Sequence, residues 1–301
     1  MALINKLTAI ADAIRGKTGK TEEMTLDQMV TEIEGISGGG GDELFNTLVD
    51  RSISGKVLFN GTKVGRAVFS WCTGITEVEI PNATEVGLSA FQGCSAIRKV
   101  NAPNLTRPQD GPNNGYYFDG CTNLEEFNAP NLQVVGYQMF NGCNKISVFN
   151  FPKLTELKNW AFYNCGIEIA NFPLVTKCAD RAFNSAKKLK IVNLPLLDFK
   201  MSFCFINCTA LEYAILGNPT SLTSGAFQNT STINLILPNK SKVTKLEDTS
   251  SIDSLVAVYV PSVYLSDYKN ETNWASIADK IHAIEDNETI LSLLNKYGYE
   301  Y

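Results

Sequence analysis

Cysteine is the residue with the widest chemical range in this sequence, and there are eight of them. Six follow a phenylalanine by three places, in the pairs Phe69 and Cys72, Phe91 and Cys94, Phe118 and Cys121, Phe140 and Cys143, Phe162 and Cys165, and Phe205 and Cys208. Such spacing could serve a metal centre, a redox pair or a disulfide framework. A zinc site wants close cysteine pairs, or cysteines with histidines. The single histidine, His282, lies far from all of them. The phenylalanines recur roughly every 22 residues, with Phe183 and Phe227 completing the series, a period typical of solenoid repeats. Ala186 and Thr230 take the cysteine place in those two units. Alanine at one rung is what a packing position permits, so the cysteines in register are read as a ladder of small, inert hydrophobes. Cys178 and Cys204 fall outside the register and are expected to be the exposed or reactive thiols.

Other chemistry finds little to stand on. Gly16-Lys17-Thr18-Gly19-Lys20-Thr21 looks like a phosphate-binding loop. That loop needs a preceding strand and a glycine five residues before Gly-Lys-Thr, where this chain has a helical pattern and Ile14. Glu125 and Glu126 point to opposite faces if they lie on a strand. No Gly-x-Ser-x-Gly nucleophile motif occurs. The reading is of a protein that is not an enzyme and needs no cofactor or metal.

The elements that position these residues follow from the period. After each phenylalanine comes an aliphatic place (Ile75, Ile97, Leu124, Ile146, Leu189, Leu211, Ile233) and then a proline place. The prolines are Pro81, Pro103, Pro130, Pro152, Pro173, Pro195 and Pro238, with Gly217 standing in for one. A unit of this size cannot bury its own apolar face, so successive units stack as coils, each adding a strand near positions such as Ile97–Val100. The array occupies 69–240. Before it, 1–37 carry two amphipathic helical patterns, with Leu3, Leu7, Ile10 and Ile14 on the first and Leu26, Val30 and Ile33 on the second, suited to attachment or self-association. Residues 38–68 are a glycine-rich linker and an N-terminal cap. Residues 241–285 are a C-terminal cap, with a strand at Val258–Pro261 and a helix holding Tyr268, Trp274, Ile277 and Ile281; 286–301 form an amphipathic tail.

One unit is longer than the rest by five residues, carried within the stretch from Thr106 to Tyr117. Insertions in repeats map to loops on one face, often the binding face. The candidate ligand-binding residues are therefore Asp110, Tyr116 and Tyr117 in that loop, with Trp160 and Tyr163 at places that vary between units. The alternative is that a tyrosine of the loop tucks into the spine and that the tryptophans, Trp71 included, shield the phenylalanine stack.

A formal net charge of −5 argues against a nucleic-acid groove or an anionic membrane surface as the main partner. The first twenty residues lack a basic region followed by a continuous apolar one, and no stretch approaches a membrane span. The start is therefore read as native and unsecreted, and the many cysteines as products of a reducing compartment.

The units Ala90–Leu105, Met139–Leu154 and Ala161–Val175 resemble the BspA-like leucine-rich repeat family, as does the closing Val258–Ile284. The resemblance implies an α/β repeat architecture, a right-handed leucine-rich-repeat solenoid with a parallel sheet of about eight short strands. It also implies a role in adhesion and in protein or glycan binding, with no shared catalytic residues. The segment Leu7–Ile36 is similar to short helical modules of phage and prophage tail-associated proteins. Together these imply a virion structural protein, attached to other virion proteins or to copies of itself through a small N-terminal helical module, with the solenoid facing a host-surface protein or glycan. The alternative is a bacterial cell-surface adhesin of the repeat family.

Overall fold

The structure is a computed structural model that describes residues 51–109, 115–217, 219–223, 225–239, 241–249, 252 and 254–301. The two N-terminal helical patterns, Gly16–Thr21 and Asp110 lie outside them. The chain divides into two compact units, Met1–Lys153 and Leu154–Tyr301.

Each unit is a parallel-strand solenoid. In the first, strands β1 (Ser54–Leu58), β2 (Gly74–Glu79), β3 (Lys99–Asn101) and β4 (Glu126–Asn128) form one sheet in sequence order, every pair parallel. The strand expected near Ile97–Val100 is β3, which begins two residues later at Lys99, with Ile97 buried ahead of it. In the second unit β5 (Ile169–Asn171), β6 (Ile191–Leu194), β7 (Tyr213–Leu216), β8 (Ile233–Ile236), β9 (Leu255–Val260) and β10 (Ile281–Ala283) do the same. Two-residue strands such as Lys63–Val64, Glu85–Val86 and Arg107–Pro108 pair into a second parallel ladder.

Alternation fixes what each strand buries. Val78, Val100 and Phe127 stand in register and face inward, as do Ala170, Val192, Ala214, Leu235 and Val258 in the second unit. Behind them the phenylalanines stack face to face. Ring centroids are 5.2, 5.1 and 6.2 Å apart from Phe69 through Phe91 and Phe118 to Phe140. They are 5.3, 5.5 and 5.5 Å apart from Phe162 through Phe183 and Phe205 to Phe227. Phe127 meets the Phe118 and Phe140 rings edge-on.

The cysteines do more than fill space. Cys94 Sγ donates to the carbonyl of Phe69 at 2.9 Å, Cys121 to Phe91 at 3.3 Å, Cys143 to Phe118 at 3.3 Å and Cys208 to Phe183 at 3.0 Å. Each thiol therefore ties its coil to the phenylalanine of the coil before. The Ser254 hydroxyl donates to Phe227 in the same way, at 3.3 Å. Asparagines after the proline place form a parallel set of ties, Asn82 to the Asn60 carbonyl, Asn104 to Pro81 and Asn131 to Pro103. Gly217 replaces proline for a steric reason: a Cβ there would lie 1.6 Å from the Pro195 carbonyl oxygen.

The C-terminal cap differs from the single helix expected. A short helix α1 (Leu265–Asn270) carries Tyr268, a 3-10 segment (Trp274–Lys280) carries Trp274 and Ile277, and Ile281 begins β10. Tyr268 and Trp274 are both spent on one residue: the Tyr268 hydroxyl accepts from Thr244 N, and Trp274 Nε1 donates to Thr244 O. The tail forms α2 (Glu288–Lys296), capped by Asn287 accepting from Ile290 N, and lies against the sheet. Ile290 and Leu294 pack on Ile215, Ile236 and Ile284.

Replacing Phe140 by alanine empties a site enclosed by Phe118, Phe127, Phe149 and Phe151. Such truncation costs about 3–5 kcal/mol. A marked fall in the thermal midpoint is the expected result, and an unchanged midpoint contradicts the stacked core.

Candidate recognition surface

Each coil turns around its inward phenylalanine, and the turn has a fixed backbone requirement. Two residues before the phenylalanine the chain is left-handed at Ala67, Ser89, Tyr116, Gln138, Trp160, Arg181, Phe203 and Gly225. Two residues after it the chain is left-handed again, at Trp71, Gly93, Gly120, Gly142, Asn164, Ser185, Asn207 and Asn229. The inward ring is thus bracketed by two residues of positive φ in every coil. The left-handed region costs a non-glycine residue roughly 1–2 kcal/mol, and only the four glycines escape that cost. The bracketing residues on the near side form a row along each unit, and this row holds the candidate site.

In the second unit the row reads Trp160, Arg181, Phe203, Gly225. The Arg181 guanidinium lies between two rings, its carbon 5.4 Å from the centroid of Trp160 and 4.7 Å from that of Phe203. Tyr163 meets Trp160 edge-on, with centroids 4.8 Å apart. Phe203 covers Gly225, where an added Cβ would approach its ring to 2.4 Å. All four side chains are half-buried, so they form a firm surface rather than a core or a mobile fringe. Of these residues the sequence singled out Trp160 and Tyr163. Arg181 and Phe203 were missed, although they share the place two residues before the phenylalanine, which was the available signal.

The first unit answers the insertion loop differently. Tyr117 is buried and its hydroxyl donates to the Gln109 carbonyl, so it belongs to the spine. Tyr116 is half-buried at φ +49° and packs edge-on against Tyr137, 5.9 Å away. Trp71 is 57% exposed and its indole lies over Gly93, where an added Cβ would come within 2.4 Å of the ring. Asp119 accepts from Gln92 Nε2 at 2.9 Å and Asn141 Nδ2 at 2.7 Å. Burial nevertheless raises its carboxyl above the usual range.

Residues weighed for catalysis are accounted for in other ways. Glu126 pairs with Lys99 at 2.9 Å and Glu125 faces Lys145 at 3.9 Å, so the two acids do not converge. His282 stands exposed on β10, beside Tyr259 in an open groove of about 330 Å³ with Lys269 and Asp286. Cys178 and Cys204 were expected to be exposed, and both are fully buried. Cys178 lies in a two-residue strand of the second ladder with its side chain inward, and Cys204 donates to the Ala179 carbonyl at 3.6 Å. The hydrogen bond with the Cys204 thiol, and then burial, hold the Cys178 thiol well above its ordinary range. Burial likewise pushes Cys94 and Cys165 up to about 12.

A family model for the BspA type leucine rich repeat region matches in six copies, over 56–110, 113–234 and 199–251. The chain belongs to the BspA-type leucine-rich repeat family. The match does not reach residues 1–55, and it lends no support to the phage-like reading of the N-terminal segment. Among curated proteins none matches. Among solved structures, the BspA-type solenoid is similar to a leucine-rich repeat protein from Bacteroides ovatus, with 18% identity and a TM-score of 0.47. That similarity covers 75% of this chain and 65% of the other, so the chain spans about two thirds of that protein's length. A leucine-rich repeat protein of T. pallidum gives 18% identity and a TM-score of 0.39, over 56% of this chain and 75% of that one. A leucine-rich cell surface protein from Faecalibacterium prausnitzii gives 14% and 0.33, over 78% and 86%.

Burial of all eight thiols sets a direct test. In the folded protein at neutral pH a thiol reagent should label none of them within minutes, and in denaturant all eight. Rapid labelling of Cys178 or Cys204 in the folded state would reject this placement.

Proposed function

We propose that this protein is a non-enzymatic recognition protein, a surface adhesin of the BspA-type family, whose ligand contacts lie along the row of left-handed residues. One observation carries the reading. The turn demands positive φ at this place and Gly225 satisfies it without a side chain, yet Trp160, Arg181 and Phe203 occupy the equivalent places at a conformational cost. Their side chains meet in one half-buried cluster with Tyr163. Aromatic and arginine side chains held rigid at a surface are the residues that dominate binding energy at interfaces. Tyr116 holds the equivalent left-handed place in the first unit, and Asp110 is a candidate on its sequence position alone. The partner is a protein or glycan of a host or neighbouring cell. A virion role rests on the likeness of Leu7–Ile36 alone, and an antibody that labels released phage particles rather than the surface of the producing bacterium would favour it.

Binding of the full-length chain to intact Gram-positive cells and to purified mucins tests the reading. Trp160→Gly relieves the backbone, so the fold should persist while binding falls at least about tenfold, the loss of one hot-spot side chain. Undiminished binding by a folded Trp160→Gly protein would remove the row from the account.

A further inference from the structure

Arg181 is the cation of the row, and its surroundings are unusual for an arginine. The guanidinium carbon stands over two aromatic rings, those of Trp160 and Phe203. Among the described residues no carboxylate pairs with it and no acceptor takes its N–H groups. Trp160 Nε1–H and the Tyr163 hydroxyl, at the same cluster, have no hydrogen-bond partner among the described residues either. Three sets of donors therefore belong to one half-buried cluster. A guanidinium carries five N–H donors in a rigid planar fork. Held over two rings, the guanidinium is confined, and its N–H donors are left for a ligand such as a carboxylate, which a guanidinium can meet in a bidentate pair.

We propose that the Trp160–Arg181–Phe203 cluster binds the carboxylate of an acidic sugar, a uronate or sialate unit of a glycan. This deepens the recognition reading and rests on it. The carboxylate meets the guanidinium edge, while Trp160 Nε1–H and the Tyr163 hydroxyl bond to hydroxyls of the same sugar ring. A rigid pyranose carries its carboxylate and its hydroxyls on one frame and so can use all three donors at once. An aspartate or glutamate side chain offers the carboxylate alone, on a flexible stem. The chain's net charge of −5 repels polyanions at long range, so selectivity for an acidic sugar must come from this local set of donors.

Calorimetric titration of the full chain with tetragalacturonate, its methyl ester, sialyllactose and a tetraglutamate peptide tests the proposal. At least one acidic sugar should bind, with the methyl ester and the peptide weaker by about tenfold or more, the loss of one charge-assisted bidentate pair. Arg181→Lys keeps the charge but not the planar fork, and should weaken binding by a similar factor at an unchanged thermal midpoint. Equal binding of the ester, or peptide binding as tight as that of the sugars, overturns the proposal, and both comparisons use the unaltered protein. If neither acidic sugar binds while cells are still bound in a Trp160-dependent way, the acidic-sugar assignment fails and recognition stands. If the cells are not bound either, both fail.

Discussion

The structure depends on a corner. Within each coil the chain turns around one inward phenylalanine, with a left-handed residue on either side of that ring. The corner is then closed by bonds to neighbouring coils. Phe91 N donates to the Tyr117 carbonyl and Phe183 N to the Cys204 carbonyl, in the coils that follow. The thiol of Cys121 reaches back to the Phe91 carbonyl, and that of Cys208 to the Phe183 carbonyl. Backbone strain at the corner is thus offset by a stacked ring and a backbone bond, with a thiol bond added at Cys94, Cys121, Cys143 and Cys208. No coil could hold this geometry alone, because each of those bonds needs a neighbour.

The corner also sorts the surface into places of different freedom. The outward face of the sheet is polar in the first unit, where Asn101 donates to Glu79 at 2.7 Å and Asn128 to Asn101 at 2.7 Å. In the second unit Asn193 donates to Asn171 at 2.8 Å, after which the same column becomes apolar at Ile215 and Ile236. The chain covers that apolar part itself. Ile290 and Leu294 of α2 close over it, the Tyr299 hydroxyl donates to Asn193 Oδ1 at 3.0 Å, and the Tyr301 hydroxyl bonds to the Pro238 carbonyl. Burial raises both phenols. In the second unit the corner row is left as the surface that combines rigid aromatic rings with donors lacking acceptors among the described residues.

The repeat, the inward phenylalanines and the buried cysteine ladder were legible because a fixed period with fixed residue types has one physical reading: the same place in successive coils. Tyr117 shows the limit of that logic. An insertion suggested a binding loop, yet one of its two tyrosines fills the spine, a choice made by packing and not by spacing. Cys178 and Cys204 were misplaced for a related reason. Being out of register with the other cysteines was taken as exposure, whereas a coil has several inward places and these thiols occupy two of them. Arg181 and Phe203 were passed over because hydropathy and period say nothing about φ, and their part depends on the left-handed turn that carries them.

The central claim is that the side chains on the near side of the corner are dispensable to the fold. Comparing the unfolding free energy of the Arg181→Gly chain with that of the native chain tests it directly. Relief of the left-handed backbone, worth roughly 1–2 kcal/mol, opposes the loss of ring contacts of about 0.5–1 kcal/mol each. The account predicts stability equal to or above that of the native protein. A loss of about 2 kcal/mol or more, the size of a core defect, would show that Arg181 holds the coils together and that the row is structural.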